Sequence, residues 1–141
     1  MEKKMKKENN ILHLFLKTKW FDLISSGEKD EEYRIIKTSW VKQLCFFPEH
    51  LKRNSMTGFE VANSGSYDGR FEILAHFKGE DRPVNLMLRN YRKVVFHKGY
   101  TSNTIEFFVE NIRIGNDGKL DWGAPAFFKP YFIIKLGRRI K

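Results

Sequence analysis

Between Lys17 and Ile36 the chain changes from a helical to an extended pattern across one glycine. Trp20, Phe21, Leu23 and Ile24 recur at the spacing of a helix face, and Gly27 follows as a natural stop. Residues 30–36 then read as a strand. A helix–turn–strand junction implies a mixed fold, and it gives side chains a place to converge on a ligand. The charges here follow the spacing G-x-K-x-x-E-x-R, as Gly27, Lys29, Glu32 and Arg34. On a strand, Glu32 and Arg34 are two apart and share a face. Lys29 lies in the turn, where strand parity does not fix its direction.

The rest of the chain is mostly strand-like. Residues 1–9 are expected to be disordered. Ile11 to Leu16 reads as a strand with apolar residues on both faces, hence a central one. Ser39 is placed to cap a short helix over Trp40 to Leu44, and residues 46–54 to add a helical turn. Residues 54–70 carry turn signals, Phe71 to Phe77 alternates as a strand, and Gly79 to Pro83 reads as a turn. Val84 to Leu88 is ambiguous. Lys93 to His97, Asn103 to Ile114 and Tyr131 to Leu136 read as strands, with a hairpin-type turn at Gly115-Asn116-Asp117-Gly118. Five or six strands with two or three short helices, lacking regular β-α alternation, favour an α+β fold: a small mixed β-barrel with helices at one end.

A length of 141 residues suits one domain, expected over 10–141. Thirteen Phe supply much of its core. The net charge of +9 attracts polyanions, nucleic acid being the commonest. Part of that excess sits at the ends of the chain, in Lys3, Lys4, Lys6, Lys7, Arg138, Arg139 and Lys141. Cys45 is the only cysteine, which removes disulfides and cysteine clusters and fits a reducing, cytoplasmic setting. No apolar run has the length of a membrane span, and the basic start lacks a following hydrophobic stretch of signal-peptide length. His13, His50, His76 and His97 show no metal-ligand spacing, so neither a metal nor another cofactor is expected.

The motif at Gly27, Lys29, Glu32 and Arg34, directly after a helix, resembles that of the ASCH domain family, part of the PUA-like β-barrel superfold. Residues 94–100 (VVFHKGY), 122–125 (WGAP) and 132–137 (FIIKLG) are similar to stretches of bacterial members. The likeness covers roughly 11–44 and 91–138, leaving 46–90 as a possible insertion. It implies a PUA-like barrel holding RNA or a nucleotide in a cleft beside the motif. It also implies a possible hydrolase, since some relatives cleave amides of acylated cytidine nucleosides and others are ribonucleases. In the amidohydrolases the motif lysine is catalytic, a threonine stands at the position of Glu32, and a separate glutamate completes the site. Lys29 and Glu32 are therefore the catalytic candidates if the protein is an enzyme, with Glu106 and Glu110 as candidates for the second carboxylate.

The chemistry of the residues agrees with a ligand site. The planar fork of Arg34 suits phosphate or carboxylate. Glu32 can accept from a base edge or hold Arg34, and Lys29 can bind phosphate or act as a base if burial lowers its pKa. Of the aromatic residues, Tyr100 and Trp122 are the stacking candidates, while Trp20 and Tyr33 are expected in the core. A protein-interaction module using 46–90 as its contact surface is the alternative from another class.

Overall fold

The computed structural model describes residues 10–48, 56–63, 69–127 and 129–141. The expected disorder of 1–9 and most of the extra helical turn at 46–54 lie outside them. The chain runs β1 (Ile11–Leu16), α1 (Thr18–Ser25), β2 (Glu31–Ile35), α2 (Thr38–Leu44), β3 (Cys45–Phe46), β4 (Gly58–Asn63), β5 (Arg70–Phe77), β6 (Glu80–Leu88), β7 (Lys93–Lys98), β8 (Thr104–Gly115), a 3-10 turn (Leu120–Trp122) and β9 (Tyr131–Arg139). Among the described residues it is a mostly β, barrel-like α+β fold with two α-helices.

Two sheets share the work. One has the order β1-β7-β8-β9-β2, antiparallel except for the parallel pair β1–β7. It curls into a half-barrel. The second, β3-β6-β5-β4, is antiparallel and comes entirely from 45–88. The described strands therefore number nine rather than five or six, because the segment set aside as an insertion folds as its own sheet. Alternation explains how that sheet attaches. Phe71, Ile73, Ala75 and Phe77 face inward from β5 and join Leu12, Leu14, Val94, Phe96, Phe132 and Ile134 in one core. Each of these side chains larger than alanine contributes roughly 1.5–3 kcal/mol by leaving water.

Several local expectations need correction. Gly58–Asn63 is a strand within the stretch read as turns, and Gly79 to Pro83 runs mostly inside β6. Pro83 is tolerated because β3 pairs only with Met87 and Leu88, so β6 is an edge where the proline sits. Helix α2 begins at Thr38, with Lys37 rather than Ser39 at its cap. Residue 46 belongs to a strand, not to a helical turn. β1 is an edge strand: only its even residues are buried, and His13 and Phe15 are exposed.

β9 is apolar on both faces because each is covered. Phe132, Ile134 and Leu136 enter the main core, while Tyr131 and Ile133 form a second cluster with Tyr33 and Ala124. Residues 116–130, expected to start as a hairpin turn, instead make a long connection across that outer face. Tyrosine hydroxyls hold it: Gly118 N–H donates to Tyr131 Oη (2.9 Å) and Lys119 N–H to Tyr33 Oη (3.1 Å). A β-carbon at Gly118 would stand 2.5 Å from the Tyr33 ring, so the close approach needs glycine.

Candidate functional site

The half-barrel leaves β1 and β2 as facing edges. The Arg34 guanidinium on β2 reaches across, donating from Nη2 to the Phe15 carbonyl on β1 at 3.4 Å. A cleft of about 740 Å³ lies at this gap. It is bordered by 13–16 of β1, by Lys17 and Trp20, by 32–34 of β2, by Trp40 and Gln43, and by Trp122 with Gly123. All three tryptophans of the chain therefore line it.

The motif forms the floor. Helix α1 buries Phe21 and Ile24, then stops at Gly27 with φ +86°, in the left-handed region that favours glycine. Lys29 N–H donates to the Leu23 carbonyl at 3.0 Å, which turns the chain back under the helix. The lysine side chain then points inward. It is 2% exposed, ion-paired to Glu32 Oε1 at 3.0 Å, and its Nζ donates to the Trp122 carbonyl. Nζ also sits 4.9 Å and 5.0 Å from the centroids of Trp20 and Tyr33, within cation–π range. Burial pushes the Lys29 pKa below its ordinary 10.5, and the Glu32 charge opposes that shift.

Glu32 and Arg34 share a face, as strand parity requires. Glu32 is 4% exposed and takes Lys29 on one oxygen and Arg34 Nη1 on the other. Arg34 Nη1 also donates to the Tyr33 carbonyl at 2.9 Å, and its guanidinium lies 4.9 Å from the Trp40 ring centroid. Its Nε is buried without a partner among the described residues. The result is a cation–anion–cation chain of which only the Glu32 and Arg34 end borders the cleft. Lys29 stands behind it and ties α1, β2 and the 116–130 connection together.

The other candidates separate. Trp122 lines the cleft, and Lys119 Nζ lies 4.3 Å from its ring centroid. Tyr100 is fully exposed after β7 and is not part of the cleft wall. Trp20, expected in the core, is half-buried and presents its ring to the cleft, with Lys19 Nζ at 4.6 Å from the centroid. Tyr33 is buried as expected and donates from Oη to Glu31 at 2.8 Å. Glu106 pairs with Lys93 at 2.9 Å and Glu110 is exposed; neither borders the cleft. Among the described residues Glu32 is its only carboxylate.

Trp40, Gln43, His13 and Phe15 are cleft residues that the motif does not announce. The signal for Trp40 is faint: it follows β2 by one short turn, on a helix whose buried face is Val41 and Leu44. His13 Nδ1 lies 3.0 Å from His97 Nε2, and the Phe15 ring stacks on His97 with centroids 4.4 Å apart, so two histidines distant in sequence meet beside the site.

No family model, curated protein or solved structure matches the chain. Among the described residues no helix is long and apolar enough to cross a membrane.

Proposed function

We propose that the protein is an ASCH-type, PUA-like domain that binds RNA or a nucleotide over the Glu32–Arg34 floor. One observation carries this most: the three tryptophans of the chain border a single cleft whose nearby cations are Lys17, Lys19, Lys119 and Arg34. Indole faces stack on bases without needing a given sequence, and the cations suit the phosphate backbone. The placement of the G-x-K-x-x-E-x-R residues beneath that cleft supports the family resemblance.

A hydrolase acting on an acylated nucleoside or on RNA is the second function to test, because burial lowers the Lys29 pKa in the direction a general base requires. Against it, Lys29 is screened from the cleft by Glu32, and the cleft offers no other carboxylate among the described residues.

The test is a titration of intrinsic tryptophan emission with single-stranded RNA at several salt concentrations. A saturable change is expected, with a log–log salt slope of about −0.7 per phosphate engaged. Unchanged emission, or affinity indifferent to salt, refutes the proposal. Deacylation of an acylated cytidine by the unmodified protein would place hydrolysis first.

A further inference from the structure

Main-chain direction along β1 shows what else the cleft presents. Asn10 C=O accepts from Arg92 N–H at 2.9 Å, and Leu16 C=O accepts from Gly99 N–H at 2.8 Å, both on the β7 side. The peptide groups of even-numbered residues therefore face β7. In an extended strand the N–H and C=O of one residue point to the same side, and the side alternates residue by residue. His13 and Phe15 then turn their peptide groups toward the gap. The Phe15 carbonyl confirms the parity, because it is the group Arg34 reaches from β2.

Cleft-facing peptide groups on an edge strand are hydrogen-bonding groups of fixed position. The gap is bridged by an arginine side chain instead of a strand, so the His13 N–H and C=O and the Phe15 N–H are held in a row beside the three indoles. A flat ligand in the cleft would have both the indoles and that row of main-chain groups within its walls. The rim cations favour a ligand with an anionic backbone, and Glu32, already held by two cations, adds little opposing charge.

Resting on the RNA-binding function proposed above, we infer that the cleft takes one unpaired nucleobase and reads its hydrogen-bonding edge through the main chain of β1 at His13 and Phe15. A paired base offers neither its face nor that edge, so the ligand class is single-stranded RNA or a free nucleotide. Selectivity among bases then belongs to the strand edge, and the side chains on β1 tune affinity.

The experiment measures binding of short single-stranded homopolymers of the four bases, an abasic oligomer of the same length and an RNA duplex. The tightest homopolymer is repeated with its base methylated on the Watson–Crick nitrogen. Abasic, duplex and methylated probes are each expected to bind at least about tenfold more weakly. Phe15→Pro deletes an N–H that the β1–β7 pairing does not use, a change edge strands accommodate. It should flatten the ranking of the four homopolymers, whereas Phe15→Ala should keep the ranking even if affinity falls. Where Phe15→Pro does not fold, the methylated probe decides. Equal binding of methylated and unmethylated probes, or of abasic and parent oligomers, overturns the main-chain readout and leaves RNA binding standing. Failure of every oligomer to bind overturns both.

Discussion

Removing the central anion of the Lys29–Glu32–Arg34 chain should be far more damaging than removing the lysine. In Glu32→Ala, Arg34 can rehydrate at the cleft, but Lys29 at 2% exposure cannot. It must stay charged without its partner or give up its proton. Deprotonating a lysine of ordinary pKa 10.5 at pH 7 costs about 5 kcal/mol at 1.36 kcal/mol per pKa unit, which caps the penalty. Breaking buried pairs typically costs about 3–5 kcal/mol. Lys29→Met keeps Glu32 paired with Arg34 at the cleft border and strands the Trp122 carbonyl and Glu32 Oε1, for about 1–3 kcal/mol. The assay is urea unfolding of both variants. At an m-value of about 2 kcal/mol/M, Glu32→Ala should lower the midpoint by about 2 M and Lys29→Met by about 1 M. The pH dependence adds a second check. Because the folded pKa of Lys29 lies below 10.5, the unfolded chain binds more protons between those values, and stability rises with pH across that window. Lys29→Met loses this gain, so its deficit should widen from neutral pH toward pH 10. A Glu32→Ala protein within about 1 kcal/mol of the parent, or one less harmed than Lys29→Met, would refute the view that Glu32 is the keystone.

Other outcomes follow from single contacts. Cys45 is fully buried and its thiol is pushed up to about 12, so a thiol reagent at pH 8 should label it only after denaturation; prompt labelling of the native protein would contradict the packing. Its stabilising share is intact below its unfolded value of 9.0 and is lost as pH climbs from there through about 12. Gly118→Ala should destabilise by about 1–3 kcal/mol through its clash with the Tyr33 ring, as read by thermal unfolding, and should weaken any ligand by displacing Trp122; an unchanged melting temperature would show that the connection is loosely held.

How far the sequence discloses this molecule depends on the kind of signal. The α1–Gly27–β2 junction and the shared face of Glu32 and Arg34 are legible because local periodicity dictates them. The second sheet is not. Glycine, serine and asparagine around β4 mimic a loop, and Pro83 argues against β6 unless one knows that its neighbour β3 is only two residues long. The 116–130 connection misleads because Gly115 to Gly118 has the composition of a tight turn. What directs it are hydroxyls of Tyr33 and Tyr131, distant in sequence. The charged floor of the site was therefore visible, while most of its aromatic walls were not. Trp20 looked like core because one face of its helix is core, and Trp40 enters only when the sheet edges come together.

The attachment of the second sheet has a consequence for how this chain can change. Leu44 C=O accepts from Arg89 N–H at 2.8 Å, and Tyr91 Oη donates to the Gln43 carbonyl at 2.6 Å, so residues 45–88 depart and return through one narrow neck. Among the described residues no strand of the half-barrel pairs with a strand of this segment. Its strand number can grow or shrink in a single genetic event without moving the register of β1, β2 or β7–β9, provided the replacement still roofs the apolar side of the half-barrel as Phe71, Ile73, Ala75 and Leu86 do. Two descendants of one ancestor can thus differ by an entire sheet here and share the same cleft, and a graft at Leu44 and Arg89 is the place to exchange one roof for another.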